Sequence, residues 1–175
     1  MQKRSDYGVA AQKRFPLPLS IAIAKTSDGR YNPITLGWWM NTSHVPPMFA
    51  ISIGVRRYSL EVIRSAGSFV LSFPTEEMRD DTLYFGTHSG RQEDKIAARG
   101  CPVQPATEID CVLLSEAAAN FECVVESDTS SGDHAIFVGR VVASFVSESA
   151  ETRRLYTLDR TSSGFRLGGV RELPS

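Results

Sequence analysis

The chain lacks any apolar run near the roughly 20 residues that would span a bilayer. Its start, "MQKRSDYGVAAQKRF", also lacks the apolar core of a secretory signal. A cytoplasmic location, away from membranes, is the expectation. Histidine and cysteine are scarce. His44, His88 and His134 stand apart with no HExxH spacing, so no metal site is expected. Cys101, Cys111 and Cys123 are odd in number and too far apart for a CxxC pair. They read as small, semi-buried thiols, with a redox role for one of them left open. A surplus of charge of one sign is also missing. Lys and Arg number 19 against 20 Asp and Glu, a net charge of −1, which speaks against nucleic acid or an anionic membrane as partner. Neither a GxGxxG fingerprint nor a GxxxxGK loop ending in Ser or Thr occurs.

What is present is ordinary globular material. The 175 residues are 42% hydrophobic, enough for one sizeable core, and no repeat or linker divides them. Residues 1–175 are therefore read as one domain with its core over about 16–170. "LSIAIAK" (19–25), "ITLGWWMNTS" (34–43) and "MFAISIGV" (48–55) read as strands, the last two split by Pro46-Pro47. "SFVLSF", "DCVLLSEA", "NFECVVES" and "HAIFVGRVVASFV" continue the pattern, with "SSGDH" as a turn and "RLYTLDR" and "GFRLGGV" as edge pieces. Helices are expected over Ser59–Gly67 with a serine cap, over 75–86 capped by Thr75, and over Ser89–Gly100. In the last of these, Ser89 and Gln92 hold capping-box spacing. Many strands with a few short helices and no regular alternation predict a β-barrel with peripheral helices.

Two stretches invite chemistry. In a helix over 89–100, Arg91 and Lys95 would share one face in the first two turns. Cations are mildly unfavourable there, so a phosphate among Ser89, Arg91, Lys95 and the free amides would explain them. Balance by Glu93 and Asp94 is the other reading. "NPITLGWWMNTS" crowds Asn32, Thr35, Asn41, Thr42 and Ser43 around two tryptophans, which suits a flat heterocycle with polar edges or a plain strand end. Arg57 and Ser59 form a second anion candidate, Ser59 doubling as a cap. His134 opens the long last strand, either as a structural histidine or one that meets substrate.

"NPITLGW", "TSHVPP", "FAISIGVRRYSLEVIRSAGSFVLSFP", "GTHSGRQEDKIAARG" and "GDHAIFVGRVV" occur in this order over roughly Leu19 to Val142. That succession resembles the flavin reductase-like, FMN-binding split-barrel proteins, which include flavoredoxins and the reductase components of two-component monooxygenases. The resemblance implies a mostly β, six-stranded antiparallel split barrel with short peripheral helices, homodimeric, holding FMN or else FAD. It puts Asn32, Thr35 and Trp38 by the flavin ring, with Asn41, Thr42 and Ser43 along the ring and ribityl chain. Arg57, Ser59, Ser89, Arg91 and Lys95 fall at the phosphate end, and His134 near the nicotinamide of NAD(P)H. The paired tryptophans leave open which one touches the ring, and "SSGFRLGG" matches only loosely, so Phe165 is not assigned. The implied activity is NAD(P)H:flavin oxidoreduction, hydride passing from nicotinamide to flavin N5 and electrons onward to flavin, a ferric chelate or a partner monooxygenase. A flavoredoxin-like electron carrier without nicotinamide activity is the alternative. No basic cluster marks a 2′-phosphate, so NADH and NADPH are not distinguished.

Overall fold

The computed structural model describes residues 1–149, 153–161 and 164–169. Its strands are β1 (Leu17–Pro18), β2 (Ser20–Lys25), β3 (Tyr31–Leu36), β4 (Trp39–His44), β5 (Pro47–Gly54) and β6 (Ser68–Phe73). They continue with β7 (Val103–Pro105), β8 (Val112–Leu114), β9 (Ala119–Ser131), β10 (His134–Val146), β11 (Leu155–Thr161) and β12 (Gly164–Gly169). The helices are α1 (Tyr7–Ala11), α2 (Tyr58–Ala66), α3 (Arg79–Thr87) and α4 (Lys95–Arg99).

One antiparallel sheet runs in the order β3-β2-β6-β9-β10-β5-β4. It curls into a split barrel that does not close. The expected run 34–43 breaks at Gly37 and Trp38, so it supplies parts of two strands and the sheet counts seven. β1, β11 and β12 form a second small sheet, and β7 pairs with β8. Val170, at the end of the last expected strand, lies outside the described residues.

The central strands are buried on both faces, and their alternation sorts two cores. Ala22, Ala24, Phe69 and Leu71 point into the barrel with Ile51, Ile53 and Phe137. Ile21, Ile23 and Val70 point outward and meet Met78, Phe85 and Leu113. That outer layer brings α3 against the sheet near β3. The long hairpin of β9 and β10 turns at Gly132, whose φ of 61° suits glycine.

Three helix starts differ from expectation. α2 begins at Tyr58, and Ser59 makes no cap; it is buried and its Oγ accepts a hydrogen bond from Asn32 Nδ2 at 2.8 Å. Thr75 is buried in a bridge opposite Arg154, and α3 starts only at Arg79. The helix expected from Ser89 starts at Lys95. Asp94 caps it, its Oδ1 accepting from the amides of Ile96 and Ala97 at 3.1 and 3.0 Å. A carboxylate taking two amides outcompetes a hydroxyl five residues earlier. The predicted glycine stops hold: Gly67 and Gly100 are left-handed C-caps.

Candidate functional site

β3 and β4 follow one another in the chain yet end the sheet at opposite sides, and they diverge at Gly37 and Trp38. The gap is a cleft of about 520 Å³, a usual size for a small-molecule site. Residues 34–38 and Ser52–Gly54 line it from the barrel, Thr82 and Gly86 from α3, and His134 from β10. The pairing of His134 with Gly54 fixes that histidine at the rim. Its Nδ1 lies 2.7 Å from Asp133 Oδ1, and this contact holds the Asp133 carboxyl below its ordinary range. A carboxylate only accepts, so Nδ1 carries the hydrogen, and in the neutral imidazole Nε2 is then an acceptor.

The two tryptophans separate. Trp39 packs inward, 4.8 Å from the Phe73 ring, and its Nε1 donates to the Pro18 carbonyl at 3.1 Å. Trp38 stays exposed on the cleft, its ring 4.7 Å from that of His134 at a 36° tilt. Thr35 lies beside it, its hydroxyl donating to the Thr82 carbonyl. α3 comes so near here that a Cβ on Gly86 would sit 3.3 Å from Thr35 Cβ.

A smaller pocket of about 210 Å³ adjoins the cleft and shares Ile34 and Arg57 with it. Arg57, Ser59, Ser89 and Lys95 line it. Lys95 is 2% exposed, and its Nζ donates to the carbonyls of Pro33, Phe85 (3.2 Å) and His88 (3.4 Å). No carboxylate within ion-pair distance neutralises it among the described residues. Burial lowers its pKa to about 8; the Arg57 charge adds to the shift and Glu93 opposes it. Asn32, beside Ser59, keeps a buried amide oxygen with no partner, and Thr82 on the cleft wall keeps a buried, unpaired hydroxyl. Gly90 packs so tightly on Asn32 that a Cβ there would fall 2.0 Å from Oδ1. The result is a mixed-polarity cleft joined to a cationic pocket, which suits one ligand with a polar-edged ring and an anionic end.

A family model described as "Flavin reductase like domain" matches residues 12–164. The chain belongs to the flavin reductase-like family. An uncharacterised protein of Archaeoglobus fulgidus is 30% identical over 125 residues, 71% of each chain. An NADH-dependent FMN reductase, AsuE2, of Streptomyces nodosus subsp. asukaensis is 29% identical over 138 residues, covering 77% of this chain and 72% of its own. The crystal structure of flavoredoxin from Methanosarcina acetivorans superposes with a TM-score of 0.85 at 22% identity, covering 100% of this chain and 94% of that one. At that identity the likeness concerns the fold.

Within this flavin reductase-like chain the expected residues divide. Thr35, Trp38, Arg57 and His134 line the cleft, while Arg57, Ser59, Ser89 and Lys95 line the pocket, with Asn32 bonded to Ser59. Arg91 lines neither. It sits in a turn before the helix, so it does not share a face with Lys95; its Nη2 donates to Glu61 at 2.7 Å and its guanidinium covers Tyr58. Asn41, Thr42 and Ser43 also line neither, because the break at Gly37 sends them along the outer edge strand β4. The cysteines stand outside both pockets, and burial pushes their thiols up to about 12, which leaves little nucleophilic thiolate. The sequence reading passed over Thr82, Arg14 and Arg160, and with them the N-terminal segment. Thr82 was visible only as a threonine among charges. α1 buries no residue and so shows no periodicity.

Proposed function

We propose that the protein is an FMN-binding oxidoreductase, a NAD(P)H-dependent flavin reductase that passes electrons to a second flavin, a ferric chelate or a partner monooxygenase. One observation carries this reading. Lys95, a buried cation without a carboxylate, bonds the carbonyl of Pro33, two residues from Thr35 on the cleft wall. The cationic and ring-sized compartments thus meet on one strand. The chain's own residues fit the cofactor: Lys95 in the smaller pocket lacks a carboxylate partner, and Thr82 Oγ1 is orphaned on the cleft wall.

In this reading Lys95, Arg57, Ser59 and Ser89 hold the phosphate. Thr35 has committed its hydrogen to Thr82, so its hydroxyl would act as an acceptor for an N–H on the ring edge. When bound, the flavin supplies the redox chemistry by accepting hydride from the nicotinamide. Trp38 and His134 wall the space the nicotinamide enters, and His134 Nε2 holds or passes a proton there. FMN fits the single monophosphate pocket more directly than FAD. We further read the protein as a homodimer joined through β4, whose Met40 and the adjoining Val45 are 60% and 92% exposed. Asn41, Thr42 and Ser43 then serve that edge.

The test is a spectrum. Purified protein should take up FMN with micromolar or tighter affinity, and anaerobic NADH or NADPH should bleach the band at roughly 450 nm typical of oxidised flavin. Lys95→Ala should weaken FMN binding about tenfold or more, as expected for losing the buried positive charge beside the phosphate. Unaltered affinity in that variant refutes the phosphate assignment. A yellow protein that NADH and NADPH both leave oxidised is a carrier and not a reductase.

A further inference from the structure

Several arginines away from the cleft are held by carboxylates. Arg30, Arg64, Arg99 and Arg140 each pair with a carboxylate at 2.5–2.8 Å. Arg14 and Arg160 do not. Among the described residues Arg14 meets only the Trp38 ring, 5.9 Å from its centroid, and the Ala11 carbonyl. Arg160 meets only the Phe165 ring at 5.8 Å. Both line the cleft, and both come from its outer wall: Arg14 follows α1, and Arg160 lies on β11 paired with Phe165 of β12. The phosphate pocket with Lys95 is a separate compartment that neither arginine lines. Exposed guanidiniums resting on aromatic faces keep their planar forks open and bind phosphate bidentately.

We infer that Arg14 and Arg160 form a second anion subsite that grips the phosphates of the incoming nicotinamide dinucleotide, while Trp38 and His134 face its reactive ring. The inference rests on the nicotinamide-dependent reading above and adds to it the residues that recognise the co-substrate's tail. A flavin phosphate would be held by Arg57 and Lys95 of the inner pocket, which leaves Arg14 and Arg160 to a different anion. The pyrophosphate is the shared feature of NADH and NADPH, and its charge matches two guanidiniums. Neither arginine touches the reacting atoms, so both act on affinity and not on the hydride step.

Arg14→Gln and Arg160→Gln, made singly and together, test this in the FMN-loaded protein. Calorimetric titration with NAD⁺ and NADP⁺ reads binding without turnover, and anaerobic mixing with NADH and NADPH reads KM and kcat. Each single change should weaken dinucleotide binding and raise KM about tenfold, and the pair more, with kcat within about twofold. FMN affinity and melting temperature should stay as in the wild type. A neutral N-benzyl dihydronicotinamide, which lacks phosphates, should reduce all four proteins at equal rates. Equal loss for NAD⁺ and NADP⁺ places the contact at the pyrophosphate, and a loss confined to NADP⁺ places it at the 2′-phosphate; both support the subsite. Wild-type dinucleotide affinity in the double variant overturns it, as does an equal loss with the benzyl compound. If the wild type itself neither binds nor is reduced by any dinucleotide, the reductase reading falls and takes the subsite with it.

Discussion

A lysine ammonium enclosed by carbonyls and no carboxylate makes stability depend on pH. In the fold Lys95 releases its proton near about 8, against an ordinary value of 10.5. Between those two values the unfolded chain binds more protons than the native one, so stability rises with pH across that window. Below about 8 the group is charged in both states and the burial penalty is felt in full. The flavin-free protein should therefore resist urea better at about pH 10 than the same measurement on Lys95→Met would lead one to expect, relative to each protein at about pH 7. Identical pH profiles in the two proteins would contradict the account. Inorganic phosphate or FMN supplied near pH 7 should offset the same penalty, since an anion stabilises the buried charge that is already there.

At the scale of elements, one buried carboxylate ties a loop to the sheet. Glu122 on β9 is fully enclosed, and its oxygens accept from the amides of Thr107, Glu108 and Ile109 at 2.8, 2.7 and 3.1 Å and from the Thr107 hydroxyl at 3.2 Å. Glu122→Gln turns one acceptor into a donor aimed at N–H groups. It should cost about 2–3 kcal/mol in urea unfolding and leave FMN affinity unchanged, because Glu122 lines neither compartment. The elements themselves were largely legible. Short runs rich in Val, Ile and Phe announced β2, β6, β9 and β10, and Gly67 and Gly100 announced two helix ends. The site was legible only where sequence order carried it. Ser89 and Gln92 imitate a capping box, but Asp94 takes the amides, and that shift parts Arg91 from Lys95. Ser59 needed Asn32, 27 residues away, to become a buried hydrogen-bonding partner instead of a cap. α1 offers no apolar stripe, so nothing local announced that Arg14 would reach the cleft.

For the whole molecule, the homodimer reading predicts a particle of twice the 19.2 kDa protomer in sedimentation. Met40→Asp places a charge on the exposed edge strand and should shift the protein to protomer mass, with the fold intact by circular dichroism. A dimer indifferent to that change would show that β4 is not the contact. The two ends of the sheet are not alike. At one end α3 and α4 pack over β3, with Lys95 holding the Pro33 carbonyl and Thr35 bonded to Thr82. At the other end, among the described residues, β4 has no strand beyond it. A sheet capped on one side and open on the other has a single place to add a strand. In the homodimer reading, two copies meeting there through a twofold axis would use up that edge of the seven-stranded sheet, so growth through β4 would halt at the pair.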